Sequence, residues 1–258
     1  MEKKYSFRGV LGAVLFSLLY YAIYFALQVA AVYLVTKISP YASFIEQMTI
    51  ELSIIGNCLC VLVFALIFKF TSTPLSEKAY INPFPSRFFV SMIILGVATA
   101  YGIALALGYI ESTGIIPEEW LKTQEETYTD VIAASPVMQF FCVGLMAPVL
   151  EEILFRGLIL GTLKKEMHPW VAIIISAVSF GIAHGTAISF IYATGLGLLM
   201  GWLFVRFNSV LPTIIFHMAY NCTVSFSENI YGIVALLSIP IMILTIKSIK
   251  NYFRGNQR

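Results

Sequence analysis

The chain is built from apolar runs too long for a soluble core. They fall at about residues 10–35, 48–68, 88–109, 136–163, 170–184, 188–205, 211–226 and 230–246. A helix needs about 20 apolar residues to cross the hydrocarbon of a bilayer. Inside that layer every backbone N–H and C=O must be satisfied within the protein, so only helices or a closed barrel can cross. Barrel strands alternate apolar and polar residues over about ten positions, and no such alternation occurs here. The expectation is an all-α, polytopic membrane protein, a bundle of about eight transmembrane helices. Composition agrees: 59% of residues are hydrophobic and 12% charged, about half the charge of an ordinary soluble domain. The first run is too long for the apolar centre of a signal peptide and is read as the first span. A net charge of +2 gives no reason to expect a nucleic-acid partner.

Basic residues punctuate alternate links. Lys3, Lys4 and Arg8 precede the first span, Lys69, Lys78 and Arg87 the third, Lys164 and Lys165 the fifth; Arg206 follows the sixth, and Lys247, Lys250, Arg254 and Arg258 form the tail. By the positive-inside rule both termini are cytoplasmic, which an even number of spans requires. The chain is then one membrane domain in four parts: supporting spans over 1–110, an acidic extracytoplasmic segment over 111–135, motif-bearing spans over 136–226, and a last span with basic tail over 227–258. Within the acidic segment, Pro117 followed by Glu118 and Glu119 predicts a short surface helix. Cys58, Cys60, Cys142 and Cys222 all fall in apolar segments and read as small buried hydrophobes. Gly157 with Gly161, and Gly197 with Gly201, each put two glycines on one helix face, the pattern of close helix packing.

Ionisable residues inside spans are costly and usually functional. Glu151-Glu152-Ile153-Leu154-Phe155-Arg156-Gly157 puts three of them in the fourth span. Glu152 and Arg156 are spaced to pair on one helix face. Glu151 points elsewhere and is the free, reactive carboxylate, a general base. Phe180 and His184 share a face in the fifth span, and His217 and Asn221 share one in the seventh. The third histidine, His168, sits in a basic loop beside Pro169 and reads as solvated. A Glu and a His can activate water, directly or through a metal. A His and an Asn can donate to the oxyanion that forms when water attacks an amide. Any one of these pairs is explained by packing, but three in separate spans of one chain point to a shared hydrolytic site. Boundaries put Glu151 and His217 nearer the cytoplasmic face than His184.

Other intramembrane protease chemistries fit poorly. Asp130 is the only aspartate, so a two-aspartate mechanism is excluded. No HExxH or GxSxG occurs. Ser176 and Ser179 lie near His184 in sequence without an evident oxyanion loop. Outside proteolysis, a carrier using Glu151, Glu152 and Arg156 as its path would show repeated halves, and none is present. A non-catalytic immunity or scaffold protein is the main alternative.

EExxFRG, FxxxH and HxxxN, in this order and each in a span, resemble the CPBP family: type II CAAX prenyl endopeptidases and bacterial bacteriocin-processing or self-immunity proteins. The likeness covers about residues 136–226. It implies an eight-helix intramembrane endopeptidase in which Glu151 is the catalytic carboxylate and His184 its partner on water. Glu152 and Arg156 would complete the first motif, Phe180 would line the site, and His217 and Asn221 would stabilise the oxyanion. Zinc and a metal-free glutamate mechanism are both open; Glu151, His184 and His217 would hold the zinc, leaving an open position. The implied partner is a membrane-embedded or lipid-anchored peptide or protein, such as a bacteriocin leader, entering laterally from the lipid bilayer. The compact chain and short loops suggest a bacterial plasma membrane. Access control is expected at Gly185 and at the acidic segment.

Overall fold

The computed structural model describes residues 5–38, 49–69, 77, 79–133, 135–226 and 233–255. Lys3, Lys4, Lys78 and Arg258 lie outside the described residues, as do most of the first link and part of the second. Helix α1 spans Phe7–Ile38 and α2 spans Thr49–Lys69. A 3-10 turn, Ser86–Phe88, leads into α3, Phe89–Ser112. The surface helix expected after Pro117 is α4, Glu118–Ala133. An unbroken helical run over 136–166 forms α5. It is followed by α6, Pro169–Ile182, α7, Ala187–Phe207, α8, Leu211–Phe226, and α9, Ile233–Gly255. No strand occurs among the described residues.

A helix stands at each of the eight expected places, but length and composition qualify fewer of them. Among the described residues, four are long and apolar enough to cross a membrane: Phe7–Ala31, Ser86–Ser112, Ala187–Phe207 and Ala235–Gly255. Three of the other four are the motif-bearing helices α5, α6 and α8. At 14 residues α6 rises about 21 Å, short of a hydrocarbon core of about 30 Å. The 16 residues of α8 are also too few. The protein is an all-α, multi-pass membrane protein, and the expected site residues lie on α5, α6 and α8 and in the turn after α6.

The ends of these helices have local causes. Pro169 opens α6 at a position where a missing N–H costs nothing. Exposed His168 caps it, Nδ1 accepting from Trp170 N at 3.3 Å. Helix α6 ends at Ile182, two residues before His184, so that histidine lies in a turn rather than in the span. Gly185 at φ 79° completes the turn in the left-handed region that glycine tolerates. Asn208, at φ 50°, ends α7 in the same region.

The paired glycines pack closely, with one surprise. Gly197 of α7 packs against α6, where a Cβ would stand 2.8 Å from Ala177 Cα, and Gly201 faces Ile173. Gly157 and Gly161 instead face a non-helical segment, Ala79 and Tyr80, and a Cβ on Gly157 would stand 2.8 Å from Ala79 Cα. The core is largely aromatic and aliphatic, with Phe155, Phe180, Phe204 and Phe216 fully buried. The four cysteines are free, and Cys58 is exposed rather than buried.

Candidate active site

Helix α5 is not uniformly α-helical. Gln139–Met146 and Glu152–Leu160 wind in the wider π register, separated by an α-helical turn, Ala147–Glu151. Such widened turns are rare and recur at functional sites. Side chains from neighbouring helices take up carbonyls along the run. Ser176 Oγ donates to Phe155 O at 2.7 Å. Pro148 withholds a donor from the turn before it, and Asn221 Nδ2 supplies one, to Val143 O at 2.8 Å.

The second half of the run carries the charges. Arg156 Nη1 donates to Glu152 Oε1 at 2.8 Å, with both side chains 0% exposed. Their spacing allowed this pair, and the wider turn preserves it. His217 Nδ1 stands 3.0 Å from the same Glu152 oxygen. A carboxylate paired with a guanidinium only accepts, so Nδ1 carries the hydrogen. That fixes the ring and turns Nε2 toward Glu151, whose Oε2 is 3.8 Å away. Glu151 keeps 19% of its side chain exposed against 0% for Glu152. The adjacent carboxylates therefore differ in setting: Glu152 is closed off and paired, and Glu151 keeps part of its side chain open.

Phe180 is the hub that joins the three motifs. Its ring lies 4.3 Å from Arg156 Cζ, 4.6 Å from the His184 ring, 5.7 Å from the His217 ring and 5.2 Å from the Phe155 ring. A guanidinium over an aromatic face gains cation–π attraction, most when desolvated. His184 Nδ1 is 2.8 Å from Phe180 O; a carbonyl only accepts, so this nitrogen donates and Nε2 is left as a lone-pair acceptor. His184 and His217, expected at different depths, both meet Phe180.

Two of the three expected zinc-holding side chains, Glu151 and His217, are thus neighbours. Among the described residues no three His, Cys, Asp or Glu side chains are gathered as a metal centre needs. Asn221 is one helical turn from His217 and already gives one amide hydrogen to Val143, leaving one. Ser176 is buried, and Ser179 donates to Ile175 O at 2.9 Å, so neither hydroxyl is aimed as a nucleophile.

Sequence reasoning missed a residue of α1. Tyr24 lies within electrostatic reach of the Glu151 carboxylate, and Gln28 hydrogen-bonds its hydroxyl. Gly56 of α2 makes room for that glutamine. A Tyr and a Gln one turn apart in an apolar helix were the available signal.

Residues 133–223, which hold all seven expected site residues, match the family described as type II CAAX prenyl endopeptidase Rce1-like. YdiL of Bacillus subtilis (strain 168), named as a candidate membrane peptidase, is 34% identical over 92 residues, 36% of this chain and 37% of that one. The UPF0177 protein YxdF of Lactococcus lactis subsp. lactis (strain IL1403) is 25% identical over 121 residues, 45% of this chain and 67% of that one. The match thus spans little more than a third of the Bacillus protein. No solved structure gives a significant match. The three motifs that meet at Phe180, with the buried His217–Glu152 pair between them, all lie within residues 133–223, the part of the chain similar to the type II CAAX prenyl endopeptidase Rce1-like family.

Proposed function

We propose that this protein is an intramembrane endopeptidase that hydrolyses a peptide bond of a membrane-embedded or lipid-anchored substrate. The observation that carries the reading is the asymmetry of the two carboxylates: Glu152 is fully buried and paired, while Glu151 is partly open beside His217 Nε2 at 3.8 Å. Glu151 takes a proton from a water that His184 Nε2 helps to orient, and the water oxygen attacks the scissile carbonyl. His217 Nε2, when protonated, and the second amide hydrogen of Asn221 donate to the resulting oxyanion. As the intermediate collapses, the C–N bond breaks and the proton passes to the leaving nitrogen. One carboxylate and one amine result from one peptide bond and one water. A zinc ion held by Glu151, His217 and His184 would sharpen the same nucleophile.

The surrounding bundle is proposed to cross the membrane eight times with both termini in the cytoplasm, as the basic links suggest, in a bacterial plasma membrane. The test is cleavage of membrane-anchored peptides, bacteriocin-leader and CAAX-type sequences among them, by purified protein in detergent. Wild type is set beside Glu151→Ala and Glu152→Ala, with and without a chelator. Cleavage lost in a folded Glu151→Ala protein supports the hydrolase, and the chelator arm separates zinc from a bare glutamate mechanism. If Glu151→Ala keeps full activity in cells, the scaffold or immunity reading replaces this one.

A further inference from the structure

A half-open groove of about 450 Å³ runs along Gly181, Ile182, Gly185, Thr186 and Ala187, flanked by Trp120 of α4 and by Phe190 and Ile191 of α7. Gly185, at φ 79°, adds a backbone that only glycine holds easily. Beside the contacts of His184 with Phe180, the loop is held by side chains of α4. Thr186 Oγ1 donates to Gln124 Oε1, and Ser189 Oγ donates to the same oxygen at 3.0 Å. An amide oxygen has two lone pairs, and both are taken. The network continues in one consistent direction. Having donated to Gln124, Ser189 Oγ accepts from Tyr128 OH at 3.1 Å and from Tyr192 OH at 3.2 Å. Thr186 Oγ1 accepts from Ser189 N at 3.1 Å, capping α7. Thr186 and Ser189 are buried, so each hydroxyl is costly to leave without a partner.

The helix is suited to this contact. Leu121, Gln124 and Tyr128 are the half-buried positions of its middle turns, while Glu118, Glu119, Lys122, Glu125 and Glu126 are exposed. The charge of α4 faces outward and its hydrogen-bonding face is turned to the His184 loop.

We propose that Gln124 is a positioning residue: its amide oxygen, held by Thr186 and Ser189, sets the place of the loop that presents His184. The role in turnover rests on the endopeptidase reading; the role in placing the loop does not. Gln124 lies outside the matched residues 133–223, so this contact is contributed by the acidic segment.

Full-length protein in detergent is labelled with diethyl pyrocarbonate, and modification of His184 is followed by mass spectrometry. Cleavage of a membrane-anchored peptide is measured in parallel. Gln124→Leu removes the acceptor at nearly constant size; Gln124→Glu restores two acceptor positions; Thr186→Ser keeps the hydroxyl. The expected result is His184 labelling about fivefold faster in Gln124→Leu and a kcat about tenfold lower at nearly unchanged KM. Gln124→Glu and Thr186→Ser return toward wild type. Unchanged His184 labelling in a folded Gln124→Leu protein overturns the proposal. So does failure of Gln124→Glu to differ from Gln124→Leu. If wild type cleaves nothing, the labelling arm still decides whether Gln124 places the loop, and only the endopeptidase reading is in question.

Discussion

His217 hands its Nδ1 hydrogen to Glu152 Oε1 at 3.0 Å, across 65 residues of sequence. That bond ties α8 to α5 at the point where Arg156 holds the same oxygen at 2.8 Å. One carboxylate oxygen thus serves two donors from two helices, in a place closed to solvent. Buried charges of this kind are stable only as a set.

Removing one member should therefore cost far more than a surface substitution. Arg156→Met or Glu152→Gln is expected to lower stability by about 3–5 kcal/mol. The double variant Glu152→Met with Arg156→Met should lose clearly less than the two single losses combined, because no charge is left unpaired. Thermal melts in detergent, arranged as a double-mutant cycle, measure this. Additive losses would show that the two side chains do not act as a pair.

Glu151 should behave in the opposite way. It is the partly open carboxylate, and Arg156 already has Glu152. Glu151→Gln is expected to melt within a few degrees of wild type and to lose about 10²–10⁴ in kcat, the usual contribution of a general base. Parallel melts and cleavage assays check both halves. A melt shift as large as that of Glu152→Gln would move Glu151 into the structural set.

The contrast between neighbours also shows what was legible from sequence. Pairs one turn apart, Glu152 with Arg156 and Phe180 with His184, were readable because helix geometry alone brings them together. That His217 and Glu152 share a bond was not, since nothing local encodes it. Nor was the partner of Asn221: the need arises at Pro148 in α5, and the donor comes from α8. Tyr80 was missed because its φ of 55° has no glycine to announce it, though its hydroxyl donates to Gly161 O at 3.1 Å. Hydropathy located eight helices, of which four are long and apolar enough to cross a membrane among the described residues; α6 and α8 are short, at 14 and 16 residues.

Glycines give a test of packing that is independent of the site. Gly197→Ala would place a Cβ 2.8 Å from Ala177 Cα, whereas nothing lies within 4 Å of a Cβ on Gly12. Gly197→Ala is expected to destabilise by about 1–3 kcal/mol. Gly12→Ala should be neutral or should stabilise by about 0.5–1 kcal/mol through helix propensity. If both variants melt alike, α6 and α7 are not packed backbone to backbone.

The last prediction concerns Lys164, just past the expected end of the fourth span. Its Nζ donates to Asn208 Oδ1 at 2.6 Å and lies 4.0 Å from the Tyr80 ring and 4.4 Å from that of Phe204. These contacts favour the cation. Burial opposes it more strongly, and with the neighbouring charge of Lys165 pushes the ammonium from 10.5 down to about 8. The folded protein therefore releases this proton at a lower pH than the unfolded chain does. Between about pH 8 and 10.5 the unfolded state binds more protons, so the contribution of Lys164 to stability rises with pH across that window and is level on either side. Melting temperature followed from pH 7 to 11 should rise for wild type relative to Lys164→Met. Acetylation of Lys164 should reach half its limiting rate near pH 8, ahead of exposed lysines. If Lys164 titrates with those lysines, its contacts with Tyr80, Phe204 and Asn208 outweigh its burial, and the wild-type and Lys164→Met curves will run parallel through pH 8.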